Sequence, residues 1–173
     1  MIKLKHLEEK TISKEKLFSG KVIDLYLEDV ELPNGKTGKR EIVKHPGAVA
    51  VLALTDEENI ILVKQYRKAL ERTIVEIPAG KLEKGEKPEY TALRELEEET
   101  GYTAAKLEKI TAFYTSPGFA DELVHLYLAE ELTPLEEKRG DALPLRLQPH
   151  PAVQVVHHHT GDERDDHGGV QVA

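Results

Sequence analysis

Cysteine is absent from all 173 residues, so disulfides are excluded and the fold must stand on packing alone. No segment approaches the roughly 18 apolar residues of a membrane span. The N-terminal stretch MIKLKHLEEKTISKEK also lacks the apolar region of a secretory signal. These absences predict a soluble, cytoplasmic protein that does not work at a membrane. Positive charge is in deficit: the formal net charge of −8 argues against a general nucleic-acid binder, which needs a basic surface for phosphates. The length suits one main domain with a real core.

What is present is concentrated between Gly80 and Tyr102, GKLEKGEKPEYTALRELEEETGY. Pro88 suits the first turn of a helix, where its missing N–H costs nothing, and Gly101 suits the position just past the end. Four of the five residues from Glu95 to Glu99 are glutamate. At about 100° per residue, Glu95, Glu98 and Glu99 share one face, while Ala92, Leu93 and Leu96 lie to another side. Like charges at this spacing, near a helix C-terminus, each cost about 0.3–1 kcal/mol. Arg94 can pair with Glu98, but one guanidinium cannot neutralise four carboxylates. A solvated acidic face is the ordinary outcome of such a run. A bound divalent cation is the other, and hard oxygen ligands on a rigid element suit Mg²⁺ or Mn²⁺.

The rest of the chain reads as strands around that helix. Lys21–Leu32 alternates with a period near two, Pro33-Asn34-Gly35-Lys36 is a turn signal, and Lys39–Lys44 should return as a hairpin. A small antiparallel sheet of this kind cannot bury much by itself, so it should pack on the main domain or on a second subunit. Gly47–Thr55 and Ile60–Tyr66 are apolar runs of strand length, expected as buried strands of a central mixed sheet. Thr73–Pro78, Lys106–Tyr114 and Leu123–Ala129 are also strand-like. This order gives an α+β or αβα sandwich.

The spacing within the acidic stretch is specific. Gly80, five residues, Glu86, seven residues, Arg94-Glu95-Leu96, one residue, Glu98-Glu99, one residue, Gly101 and an apolar residue resembles the signature of the Nudix hydrolases. The one departure is Tyr102, where that family usually has an aliphatic residue. Thr115-Ser116-Pro117-Gly118-Phe119-Ala120-Asp121-Glu122, with Pro117 sixteen residues beyond Gly101, resembles the loop of the family's ADP-ribose pyrophosphatases. As a bare sequence it is equally a β-turn. The resemblance runs from about Glu9 to Arg139 and includes HPGAVAV, QYRKALE and EIPAGKLEKGE.

The resemblance implies a Nudix-type αβα sandwich with a central mixed sheet, preceded by a small antiparallel N-terminal sheet. It implies Mg²⁺, with Mn²⁺ as a substitute, and hydrolysis of the diphosphate of ADP-ribose to AMP and ribose 5-phosphate. Glu95, Glu98 and Glu99, with the backbone carbonyl of Ala79, are the implied metal ligands. Glu98, Glu99, Glu122 and Arg94 form the implied catalytic set, Glu86 pairing with Arg94. Arg40, Arg67, Pro117 and Gly118 are implied to bind the substrate. His6, His45 and His125 are expected to serve packing or the surface. Two alternatives remain: a broader nucleoside diphosphate sugar or dinucleotide hydrolase, and a catalytically weak nucleotide-binding protein.

The second alternative arises because the resemblance stops. Residues 140–173 contain no Lys, Ile, Phe, Tyr, Ser or Asn and hold five of the eight histidines. The family would place a late glutamate loop and a long C-terminal helix there. The chain is accordingly divided into a β-rich dimerisation region (1–45), a Nudix catalytic domain (46–139) and an atypical tail (140–173), read as a shifted reading frame, a replaced end or a disordered segment. His157-His158-His159 with Asp162 is a weak ligand set.

Overall fold

The computed structural model describes residues 5–57 and 59–135. The expectations for residues 140–173 lie outside the described residues. The first three strands, β1 (Lys10–Ser19), β2 (Asp24–Glu31) and β3 (Thr37–Lys44), form an antiparallel sheet in that order. The turn between β2 and β3 is the one its residues demand. Gly35 takes a left-handed φ of 78°, and the Asn34 side chain accepts the Lys36 N–H at 3.0 Å. Every residue of β1 is exposed, and Val30 is the one buried residue of the sheet. Cross-strand pairs such as Lys14–Glu28 and Lys39–Asp29 decorate a sheet without an interior of its own.

The main sheet is mixed. β4 (Ala48–Leu54) runs parallel to β10 (Leu123–Pro134), which pairs antiparallel with β9 (Tyr102–Tyr114). The other edge of β4 is shared end to end by β5 (Ile60–Ile61) and β8 (Ala79–Lys81). Val49, Val51 and Ala53 project from β4 toward one face, where they meet Tyr127 and Ala129 of β10 and Ala92 and Leu96 of α1 (Pro88–Thr100). Leu96 is fully buried. Truncating it to alanine costs about 2–5 kcal/mol, because it is the apolar peg that holds α1 to the sheet. Among the described residues α1 is the one α-helix, so the second helical layer of an αβα sandwich is not among them.

Three expectations about strands are corrected. Ile60–Tyr66 is not one buried strand: after Ile61 the chain leaves the main sheet, and β6 (Val63–Arg67) pairs with β7 (Arg72–Glu76) as a separate two-stranded arm. Lys64 favours it, since its charge is costly to bury without a partner, and it is exposed on β6. Tyr66 is 59 % exposed. Thr73–Pro78 is not strand to its end: β7 stops at Glu76 after folding back on β6, while the Pro78 carbonyl bonds Val51 N–H at 2.8 Å. β9 and β10 both outrun their apolar patterns, pairing as far as Tyr102 with Pro134, because the ladder continues to satisfy backbone groups where side chains no longer need burial.

Candidate active site

The helix begins and ends where its sequence directs. Pro88 occupies the first turn, and Gly101, with a φ of 74°, returns its N–H to the Glu97 carbonyl. Before it, Gly85 turns left-handed, so that Glu86 approaches the helix. Arg94 then gathers three carboxylates. Its Nε and Nη2 donate to the two oxygens of Glu86 at 3.3 Å, and its Nη1 donates to Glu95 at 2.8 Å and Glu98 at 3.1 Å. Glu86 holds the Arg94 guanidinium strongly protonated, and its own carboxyl is pulled below the usual range. Glu97, the fourth glutamate, turns away and accepts the Thr103 hydroxyl at 2.8 Å.

Glu95 and Glu99 are set against the backbone of β8. A Cβ on Gly80 would collide with the Glu95 carboxylate, so the absence of a side chain there is what lets the carboxylate lie on the chain. One turn on, Glu99 accepts the Ala79 N–H at 3.0 Å and the Gln65 Nε2–H at 2.6 Å. Burial pushes both carboxyls above their ordinary range, with Arg94 opposing it at Glu95, and Ala79 N–H, Gln65 and Arg67 opposing it at Glu99. Glu98 is more open, its side chain 49 % exposed against 14 % for Glu95.

The fit of a divalent cation follows. Glu95, Glu98, Glu99 and the Ala79 carbonyl are all hard oxygen donors, and two of the carboxylates are held partly out of water, where their charge is costly without a partner. Gly80 leaves the open backbone that close approach requires. Among the described residues no three acidic or histidine side chains already converge as a cage. Arg94 pairs instead with Glu95 and Glu98 and partly balances their charge.

The loop between β9 and β10 stands at the same end of the sheet. Val124 lies beside Ala48, which lies beside Lys81, so Glu122 emerges two strands from the Gly80 turn. Pro117 and Gly118 make the turn itself, with Phe119 and Ala120 N–H both bonding the Ser116 carbonyl. Glu122 Oε2 accepts the Thr115 hydroxyl at 2.7 Å, and Oε1 faces His45 Nδ1 at 3.6 Å. That nitrogen already accepts the Gly47 N–H, which makes His45 structural here. Val43 N–H bonds the Phe119 carbonyl, Asp121 N–H bonds the Val43 carbonyl, and the Asp121 carboxylate accepts Lys44 Nζ at 2.8 Å and His45 N–H at 2.9 Å. Burial, with Lys109, pushes the His125 imidazole below its ordinary range, and its Nδ1 has no partner among the described residues.

The two arginines part company. Arg67 lies on the β6–β7 arm, bonded to Glu76 at 2.6 Å, and its field reaches Glu99. Arg40 stays in the N-terminal sheet, where its Nε bonds Glu9 at 2.8 Å, and no hydrogen bond joins it to α1 or β8 among the described residues. Gln65 and Asp121 escaped the sequence reading. Gln65 could have been noticed as the residue one alternation before Arg67 on the same strand face.

Comparison with known proteins supplies an independent measure. A profile of the NUDIX domain matches residues 44–165, and one of the nucleoside diphosphate sugar hydrolase N-terminal domain matches residues 9–43. The chain is 84 % identical over 136 residues to an ADP-ribose pyrophosphatase of Bacillus subtilis (strain 168), covering 79 % of this chain and 74 % of that one. It is 63 % identical over 136 residues, with the same coverage, to a methanol dehydrogenase activator of Bacillus methanolicus. A crystal structure described as an ADP compounds hydrolase superposes with a TM-score of 0.69 over 79 % of this chain and 75 % of its own, at 21 % identity, a likeness of fold.

Proposed function

From the premise that the chain belongs to the Nudix hydrolases, we propose that it hydrolyses the diphosphate of ADP-ribose to AMP and ribose 5-phosphate, using Mg²⁺ held by α1 and the Ala79 carbonyl. The observation that carries this reading is the seating of Glu95 and Glu99 on the Ala79–Gly80 backbone, a place for a cation that a merely acidic helix face does not need. A Mg²⁺ bound there would supply neutralising charge for the diphosphate and acidity for a water. Glu95, Glu98 and Glu99 supply the oxygen ligands. Arg94, held by Glu86, keeps Glu95 and Glu98 together at the helix face. Arg67 offers a guanidinium to a diphosphate that lies against Glu99, where a bidentate fork matches phosphate geometry.

Glu122, carried on the β9–β10 loop at the same end of the sheet, serves as the proton acceptor. Thr115 occupies one of its oxygens, leaving Oε1 to take a proton from the attacking water. Pro117 and Gly118 shape the loop that presents it. The reaction breaks the bond between one phosphorus and the bridging oxygen, so water ends on one phosphate and the other leaves as a monoester.

Incubation of the full chain with Mg²⁺ and a panel of ADP-ribose, GDP-mannose, a dinucleotide and a nucleoside triphosphate tests the assignment. AMP and ribose 5-phosphate released from ADP-ribose faster than any other product supports it. Preferential triphosphate cleavage refutes it. The reading extends to a cytoplasmic homodimer in which residues 9–45 cross to a second copy; the exposed β1 and the nearly coreless N-terminal sheet support that extension. No helix among the described residues is long and apolar enough to cross a membrane.

A further inference from the structure

We infer that Gln65 is a positioning residue that presents the Glu99 carboxylate to the divalent cation, and that the β6–β7 arm is latched to the acidic helix through it. The inference rests on Glu99 being a metal ligand. It assigns a role to a residue that the Nudix signature does not contain.

Geometry carries the argument. β6 and β7 pair with each other and join neither of the larger sheets, so the arm needs a separate attachment to the body. Along β6, Val63 is buried, Gln65 is half-buried, and Lys64 and Tyr66 are exposed, which is the alternation of a strand with one face turned inward. From that inward face the Gln65 amide donates to Glu99 Oε1 at 2.6 Å across 34 residues of sequence. Ala79 N–H takes the other oxygen, Oε2, at 3.0 Å. One donor on each oxygen fixes the plane of the carboxylate as well as its position. An ionised carboxylate has about four lone-pair sites, so two are left facing outward for a cation. A single bond from Ala79 would leave the glutamate free to swing about that contact.

The choice of an amide also matters. A neutral donor orients Glu99 without cancelling its charge, whereas a lysine at the same place would compete with the cation. Arg67 stands one alternation further along the same face, already tied to Glu76. The latch therefore keeps a phosphate-binding arginine and a metal-binding glutamate in fixed register. Groups that orient a metal ligand from behind commonly set metal affinity by about 10- to 100-fold.

The test is a Mn²⁺ titration of the metal-free full chain, followed by electron paramagnetic resonance without substrate. Wild type, Gln65→Met, Gln65→Lys and Glu99→Gln are compared. Both Gln65 variants should bind Mn²⁺ about 10- to 100-fold more weakly, the methionine by losing the donor and the lysine by adding a competing charge. In turnover of ADP-ribose, Gln65→Met should need correspondingly more Mg²⁺ for half-saturation and regain most of its kcat when Mg²⁺ is saturating. Glu99→Gln should not regain it. Mn²⁺ binding by both Gln65 variants within twofold of wild type, with Glu99→Gln weakened, overturns the latch and leaves the metal site standing. Unchanged binding by Glu99→Gln overturns the metal site and the latch together. A fall in thermal stability of the Gln65 variants without a change in Mn²⁺ affinity marks a purely structural contact and also refutes the inference.

Discussion

Gly80→Ala separates the stability of this fold from its chemistry. The new methyl group lands on the Glu95 carboxylate, and something must move. What it meets is the far end of a flexible side chain, and Gly80 is not among the residues with left-handed φ. The backbone therefore tolerates the substitution, and restricting the unfolded chain even contributes about 0.4–1 kcal/mol in its favour. Displacing Glu95 from Arg94 costs a partly exposed ion pair, about 0–1 kcal/mol. These terms nearly cancel, so the thermal midpoint should stay within about 4 °C of wild type for a chain of this length. Catalysis has no such compensation. The carboxylate must retreat by on the order of 1 Å, a misplacement that can lower turnover by about 10²-fold, or close to 3 kcal/mol of barrier. Differential scanning calorimetry and steady-state hydrolysis of ADP-ribose on one preparation read both numbers. Full activity in a folded Gly80→Ala protein would refute the seating of Glu95 as a functional device, and a collapsed midpoint would show that Gly80 serves the fold.

Glu98→Gln and Glu99→Gln should each lower turnover by about 10²-fold or more with an unchanged circular dichroism spectrum, since each removes charge stabilisation at the reacting phosphate. Unfolding by either would make these glutamates structural. At Asp121, burial pushes the carboxyl up but is outweighed by Lys44 and the His45 N–H, leaving it below its ordinary value. Its stabilisation is present above the unfolded carboxyl range and is lost as pH falls through the lower folded value. Thermal melts of Asp121→Asn should therefore differ from wild type at neutral pH and converge with it as the pH falls below the ordinary carboxyl range; a constant gap would mean that ionisation is irrelevant there. Light scattering at micromolar concentration should give a dimer mass, and a monomer for a chain starting after residue 45 if that sheet is the contact.

The parts legible in sequence were those whose cause is local. Pro88 and Gly101 bracket α1 because missing N–H groups and left-handed φ are properties of single residues. Asn34-Gly35 names its turn for the same reason. The acidic ligand candidates were legible because a helix converts spacing into a shared face. Ile60–Tyr66 was misread because apolarity alone does not say which sheet a strand joins; the break after Ile61 depends on where Lys64 finds solvent. Gln65 and Asp121 were missed for another reason. Their roles are set by Glu99, 34 residues away, and by His45, 76 residues away, and nothing in the neighbouring sequence marks those partners.

Val43 is the next-to-last residue of the N-terminal sheet, and it is joined to Phe119, Ala120 and Asp121 by a short parallel bridge. That bridge makes the sheet an arm whose load is the loop carrying Glu122. Turning the arm as a rigid body drags the load with it. Forces applied at the outer edge, along the fully exposed β1, thus have a mechanical route to Glu122 that bypasses the acidic helix.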